Sequence, residues 1–408
     1  MNRAAFFSPF PPQQTGVATY AAHLVEALAR RCELSLFAPV DVAPVSGRPV
    51  TNFVTHPDWV TKLDAREVLI YNLGNNPDFH LDIYRTLLRR PGIVVLHDTV
   101  LYFMVAGGGR GALYKELAVN GSEDPASDLR RIVARSISHD VLRYPEPEKF
   151  PLLARTLEAA TSLIVHSQTS ANALRARGFA KPIHVIPLLT YPRPASSPRA
   201  LAQTRQELGI ATDDVVVGSL GFGGRTKRME SIVRALARVR HRKFRFLLVG
   251  AGNEFVLPML KRNGLDDRTV HMGYAQDFSR WVELSDIVIN LRYPSMGETS
   301  ATVIQAMQLA KPCIVTDHAW FSELADDSVR KVPYGPSEVS ETVAALDSLL
   351  GSKKERVTLG ALGQRFVEQH FSSERVAMLY SDAIAAASIR LNVSREWLEN
   401  HVAARINF

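Results

Sequence analysis

A chain of 408 residues with 46% hydrophobic content is long enough for two cores, since single cores stop growing well below this size. Its 48 basic and 41 acidic residues leave a net +7, spread evenly: 20 against 17 in residues 1–190 and 28 against 24 beyond. That excludes the concentrated basic stripe of a nucleic-acid binder, while suiting anionic partners such as phosphates or a lipid surface.

Cys32 and Cys313 are too few and too far apart for a disulfide framework or a thiolate metal site. The first residues lack the apolar core of a signal peptide, and no apolar run reaches membrane-spanning length. The expected place is the cytoplasm, with peripheral association at the inner face of a membrane as an extension of it.

Residues 4–7 open the chain as an apolar strand. A turn over 8–16 follows, then a helix with Val17, Tyr20, Ala21, Leu24 and Leu28 on one face, then a strand over 33–37. Such a unit sets its turn at the strands' carboxyl ends, where a ligand would meet it. Gly16 there either relieves a tight turn or admits a ligand close to the backbone. Residues 68–71 and 93–96 are further strands. Gly74, Asn75, Asn76 and His80 follow the first, and His97 and Asp98 the second, so polar side chains converge on one crevice of a parallel sheet. Residues 99–150 carry glycine-containing loops at 106–111 and 121–126, and 101–105 reads as a buried helix segment or a lipid-facing patch. Strands over 162–165 and 183–186 close the first sheet.

Residues 191–198, rich in Pro and Ser, read as a linker. A second alternation begins with a strand over 215–217. Its turn joins Gly221, Gly223 and Gly224 to Arg225, Lys227 and Arg228: an anion-binding turn, or a solvated basic loop. The glycine spacing fits neither the dinucleotide fingerprint nor the P-loop. A helix over 229–240 and a strand over 244–249 follow, with Arg234, Arg238, Arg240, Arg242, Lys243 and Arg245 as a solvated face. After a strand over 270–272 come Gly273 and Tyr274. After the strand over 287–291, Val303, Ala306, Met307 and Ala310 repeat at helical spacing, with Thr299 or Ser300 as N-cap. The free amides and dipole of that helix mouth suit a phosphate; an ordinary well-capped crossover is the plain alternative. Helices to about Leu350 and Phe371 precede one that carries Val376, Leu379, Tyr380, Ala383 and Ile384, and then an amphipathic tail over 392–408 with Trp397 and Leu398.

The segment 293–312 resembles the donor-binding motif of the family 4 retaining glycosyltransferases, in a subgroup that has Gly-Glu-Thr-Ser at the first-glutamate turn. Aligned on Ala306-Met307 and Lys311-Pro312, the family's two glutamates fall on Gly297, with Glu298 one step later, and on Gln305. The resemblance covers nearly the whole chain and is strongest near 4–24, 68–98, 215–232 and 287–325. It implies a GT-B fold: α/β, two doubly wound Rossmann-like domains facing across a cleft. The implied domains are 1–190 on the acceptor side, a linker 191–213, a nucleotide-sugar domain 214–372, and helices 373–408 crossing back to the first.

It further implies transfer of a sugar from a nucleotide diphosphate donor to a hydroxyl of a glycan or lipid-linked acceptor, with retention and without metal or other cofactor. GDP-mannose is slightly favoured over UDP-sugars, and surface polysaccharide biosynthesis is the expected setting. Carried over residue by residue, His97, Glu298 and Lys227 are catalytic. Gly16, Gly223, Arg225, Arg228, Tyr274, Thr299, Ser300 and Gln305 bind the donor. Asn75, Asn76 and Asp98 lie on the acceptor side. Lys227 matches the family's phosphate-gripping Lys, whereas Phe222 occupies its Arg position, so that Arg225 or Arg228 supplies the second charge. Gly297, Gln305 and Phe222 also fit a catalytically silent nucleotide-sugar-binding or scaffold protein, the alternative class.

Overall fold

A computed structural model describes residues 2–63, 67–192, 196–275 and 277–406, with side chains described as far as Ile389 except at Lys62. The chain forms two compact units. One contains Met1–Leu189, Met296–Glu298 and Ser373–Phe408; the other contains Thr190–Ser295 and Thr299–Ser372.

The N-terminal unit is built on seven parallel strands: β1 (Asn2–Phe7), β2 (Cys32–Ala38), β3 (Val50–Asn52), β4 (Val68–Leu73), β5 (Gly92–Leu96), β6 (Ala160–Val165) and β7 (Ile183–Val185). Their order is β3-β2-β1-β4-β5-β6-β7, so the chain reverses its direction of travel between β1 and β4. β5 is buried throughout, which is why it reads as an unbroken apolar run rather than an alternation. Phe7 anchors one face of the sheet: its ring lies 4.7 Å from Phe37, 4.9 Å from Tyr71 and 5.1 Å from Trp59. The helix Gly16–Leu28 packs against the long helix Ser373–Ile406, where the Tyr20 and Tyr380 hydroxyls meet at 2.7 Å in a buried pair.

The C-terminal unit repeats the plan with six parallel strands: β8 (Val215–Leu220), β9 (Phe244–Val249), β10 (Thr269–Met272), β11 (Ile287–Asn290), β12 (Cys313–Thr316) and β13 (Arg330–Val332). The order β10-β9-β8-β11-β12-β13 puts the reversal between β8 and β11. Phe244, Phe246, Leu248, Ile287 and Ile289 of the sheet bury against Ile232, Val233 and Leu236 of the helix Met229–Arg238.

The expected linker needs correction. Residues 198–207 form the helix Pro198–Glu207, with Ser197 Oγ accepting the Ala200 N–H at 3.2 Å, and they belong to the C-terminal unit. Ser at the cap and Pro in the first turn is a helix-start signature, and here the Pro/Ser composition hid it. Residues 193–195 lie outside the described residues, as do the side chains of the expected amphipathic tail, whose backbone continues the last helix to Ile406. No helix among the described residues is long and apolar enough to cross a membrane.

Candidate active site

In an open parallel sheet, loops that leave neighbouring strands in opposite directions part at the reversal point and leave a crevice at the carboxyl ends. In the C-terminal unit that point lies between Leu220 of β8 and Asn290 of β11. Lys227 sits there, on the turn Arg225–Lys227, and donates to Leu220 O at 3.4 Å. A Cβ built on Gly221 would stand 3.0 Å from Lys227 Nζ and 3.5 Å from Thr302 Oγ1. The ammonium therefore lies beside the first turn of the helix Ala301–Gln308, whose cap is Ser300, accepting the Val303 N–H at 3.3 Å. Tyr293 N–H donates to Thr226 O at 2.7 Å and fastens the lysine turn to the loop after β11.

Two positive side chains crowd this corner. Desolvation, helped by the nearby Arg292, pushes the Lys227 ammonium down to about 7. Among the described residues no carboxylate forms an ion pair with Lys227. Thr299 Oγ1, also at the helix mouth, is buried without a hydrogen-bond partner. A cation, a helix N-terminus and an unsatisfied hydroxyl in one crevice are the parts of an anion site. Sequence reasoning did not single out Arg292 or Thr302, because nothing local marks an Arg two residues past a strand.

Other expected donor residues are engaged elsewhere. Arg228 donates to Glu338 Oε2 at 2.6 Å, and its guanidinium lies 5.0 Å from the Tyr334 ring centre. Its charge is thus neutralised within the fold, which leaves the exposed Arg225 and the unforeseen Arg292 as candidates for a second ligand charge. Gly223 does not offer its amide to a ligand: its N–H donates to Ala251 O at 2.7 Å, and a Cβ there would fall 1.9 Å from Gly252 O. The glycines at 221–224 and 250–252 are where two loops close on each other backbone to backbone. Gln305 is buried and donates to Ser279 Oγ at 2.5 Å. Tyr274 and Phe222 are both exposed, with ring centres 6.2 Å apart.

In the N-terminal unit the reversal lies between β1 and β4. Gly16 opens the helix Gly16–Leu28 beneath the Thr15 cap, and a Cβ there would meet nothing within 4 Å. Packing therefore gives no reason for a glycine at this place. Asn75 and Asn76, expected on the acceptor side, are helix caps. Asn75 Oδ1 accepts the Phe103 N–H at 2.8 Å, and Asn76 Oδ1 accepts the Asp78 N–H at 3.0 Å. Asp98 Oδ2 holds the same loop through the Asn75 N–H at 2.9 Å.

His97 follows β5 and has both ring nitrogens engaged: Nε2 with Asn72 Oδ1 at 3.1 Å, and Nδ1 with His166 Nε2 at 3.2 Å. Burial, and then the neighbouring His166 and His80, hold its pKa well below that of free histidine. Two residues on, the Thr99 N–H donates to Met296 O at 2.7 Å, and Ser170 Oγ donates to Gly297 O at 3.0 Å. These bonds bring Glu298 into the neighbourhood of His97, with Glu298 Oε2 accepting the Met296 N–H at 2.6 Å. Gly297 has φ +88, and a Cβ on it would fall 2.0 Å from Thr99 Oγ1. No glutamate fits at 297, so a carboxylate on this turn has to come from 298.

Residues 214–352 match the family model described as Glycosyl transferases group 1. The chain is also 25% identical over 193 residues to N-acetyl-alpha-D-glucosaminyl L-malate synthase of Bacillus anthracis, over 45% of this chain and about half (48%) of that enzyme. Among solved structures it is similar to Anabaena Alr3699/HepE in complex with UDP and glucose, with TM-score 0.65 and 16% identity over 95% of this chain and 100% of that one. Sucrose-phosphate synthase of Thermosynechococcus elongatus gives 0.64 and 19% over the same shares. Two parallel sheets flanked by helices, matched over these lengths, make the fold GT-B. Within the matched residues 214–352, Lys227 and the Ser300-capped helix stand at the reversal point of the sheet.

Proposed function

We propose that the chain is a metal-independent retaining glycosyltransferase that moves a sugar from a nucleoside diphosphate donor to a hydroxyl of a glycan or lipid-linked acceptor. The observation that carries this is the half-buried Lys227 ammonium, crowded by Arg292 and without an acidic partner among the described residues, at the mouth of the Ser300-capped helix. Such a cation is placed to meet the charge that develops on a departing diphosphate. Phe222 and Tyr274 offer aromatic faces to a nucleobase. Because HepE was solved with UDP and glucose, UDP-sugars replace GDP-mannose as the first donors to try.

The protein incubated with UDP-glucose, UDP-N-acetylglucosamine or GDP-mannose and mixed glycan acceptors is expected to release free nucleoside diphosphate with one of them. If neither UDP nor GDP shifts the melting temperature, the donor-site reading is wrong. The second reading, a silent nucleotide-sugar-binding protein, is favoured by Gly297, which admits no carboxylate, and by Gln305, whose amide is spent on Ser279. It predicts the thermal shift without the release.

Gly16 gives a cleaner test of close approach. Alanine costs nothing in packing and is the better helix former by up to about 1 kcal/mol, so Gly16→Ala should hold or raise the melting temperature. If a substrate lies against that backbone, turnover should nevertheless fall by about ten- to a hundredfold. Unchanged turnover would make Gly16 an ordinary first residue of a helix.

A further inference from the structure

β4, β5 and β6 are neighbours in the N-terminal sheet, and Asn72, His97 and His166 stand side by side at their carboxyl ends. The polar line they form runs from Asn72 Oδ1 to His97 Nε2 (3.1 Å), from His97 Nδ1 to His166 Nε2 (3.2 Å), and from His166 Nδ1 to Ile186 O (2.8 Å). Tyr20 closes the back of both rings edge-on, at 5.1 and 5.5 Å.

The protons on this line can be counted from its fixed end. Ile186 O is a backbone carbonyl and only accepts, so His166 carries a proton on Nδ1. A neutral His166 then presents a lone pair at Nε2. His97 meets it with Nδ1–H, which leaves the His97 lone pair on Nε2. Asn72 satisfies that lone pair by turning its amide, since amide O and N exchange places in a half-turn. The turn gives up the long 3.5 Å bond from Asn72 Nδ2 to Phe7 O and sets Oδ1 toward that carbonyl instead, a wider acceptor–acceptor approach than the 3.2 Å one it relieves between the two rings.

The opposite tautomer puts Nε2–H on His97 toward Asn72 Oδ1. Two imidazole lone pairs then face each other across 3.2 Å, unless a third proton charges the pair. Burial opposes that charge: it pushes His166 down to about 4 and His97 well below its ordinary value. The other titratable groups nearby do not supply it either. His80, bonded through Nδ1 to Asn72 O, is itself pushed down to about 4, and Tyr20 is hydrogen-bonded to Tyr380.

We propose that His166 is a positioning residue that fixes His97 as the neutral Nδ1–H tautomer, so that His97 Nε2 accepts a hydrogen bond from a ligand hydroxyl in exchange for the Asn72 amide. The hydroxyl rests on the glycosyltransferase reading; the tautomer does not. The test is a long-range proton–nitrogen NMR correlation on the full-length protein labelled with 15N-histidine, at neutral pH, with His97 assigned by loss of its signals in His97→Gln. The expected result is a protonated, pyrrole-type Nδ1 and a bare, pyridine-type Nε2 on His97. In His166→Phe, which keeps a ring but removes the acceptor, that preference should be lost. A protonated Nε2 in the unsubstituted protein, a doubly protonated ring, or an unchanged tautomer without His166 would overturn the proposal. Should His166→Phe not fold, the spectrum of the unsubstituted protein still decides. Lack of sugar transfer would count against the proposed activity and leave the tautomer standing.

Discussion

Lys227→Met is expected to lower turnover by about a hundredfold or more, because it removes the ammonium that the proposed reaction sets against the leaving diphosphate. Methionine keeps the length and apolar stem of the side chain, so the turn held by the Tyr293 N–H to Thr226 O bond should survive, and the loss should appear in kcat. Steady-state kinetics at saturating donor measure it. Near-normal transfer would remove Lys227 from the mechanism. The same lysine should also leave a signature in pH. Its folded value of about 7 lies below the ordinary 10.5. Between those values the unfolded chain binds the extra proton, so this group makes the fold more stable as pH rises through that window. Binding runs the other way. A diphosphate needs the charged form, so affinity for UDP or GDP should weaken above pH 7, by up to about tenfold per pH unit, in the native protein and not in Lys227→Met.

Gly297→Ala should be a severely damaging single methyl beside His97 and Glu298. At φ +88 an alanine is already strained, and its Cβ would lie 2.0 Å from Thr99 Oγ1, 2.7 Å from Thr99 Cβ and 2.8 Å from Thr99 N. Positive φ and overpacking each cost on the order of 1–3 kcal/mol. The cheaper escape is for the turn at 296–298 to let go of Thr99, giving up the Thr99 N–H to Met296 O bond and displacing Glu298. We expect a loss of hydrogen-exchange protection at the Thr99 amide and a fall in turnover of about a hundredfold, with a smaller drop in melting temperature. Trimming Thr99 to alanine should not rescue it, since the Thr99 Cβ and backbone nitrogen still obstruct the new methyl. Retained protection and turnover would show that the turn at 297 has room to spare.

The parallel strands were legible in residue order because buried strands read as apolar runs: the strand expected over 244–249 coincides with β9. The two missed strands, Val50–Asn52 and Arg330–Val332, are three-residue edge strands, too short to show any period. The places where polar residues gather were legible for the same reason, since a strand end is a local event. What each polar side chain does there was not. Arg228 and Glu338 are 110 residues apart, and nothing near Arg228 announces that its charge is spent. Gly223 reads as an open phosphate turn until the loop at 250–252 is laid against it. Asn75 and Asn76 precede a proline helix start, which is a capping pattern, but as a pair of amides beside a strand end they equally suggested a ligand. His166 ends an apolar strand as His97 does, and that shared placement was the signal that could have found it.

The buried pairing of Tyr20 with Tyr380 has a consequence for how the molecule is made. Of the two units, the one that leaves the ribosome earlier is finished later, because its closing helix begins only at Ser373. At usual elongation speeds the nascent sheet waits on the order of ten seconds or more, with the apolar flank of its opening helix uncovered, while the entire second unit is synthesised. Chaperone demand should therefore fall on residues 1–189 during translation, and a stop codon shortly before 373 would leave the earliest-made half, rather than the latest, exposed to aggregation.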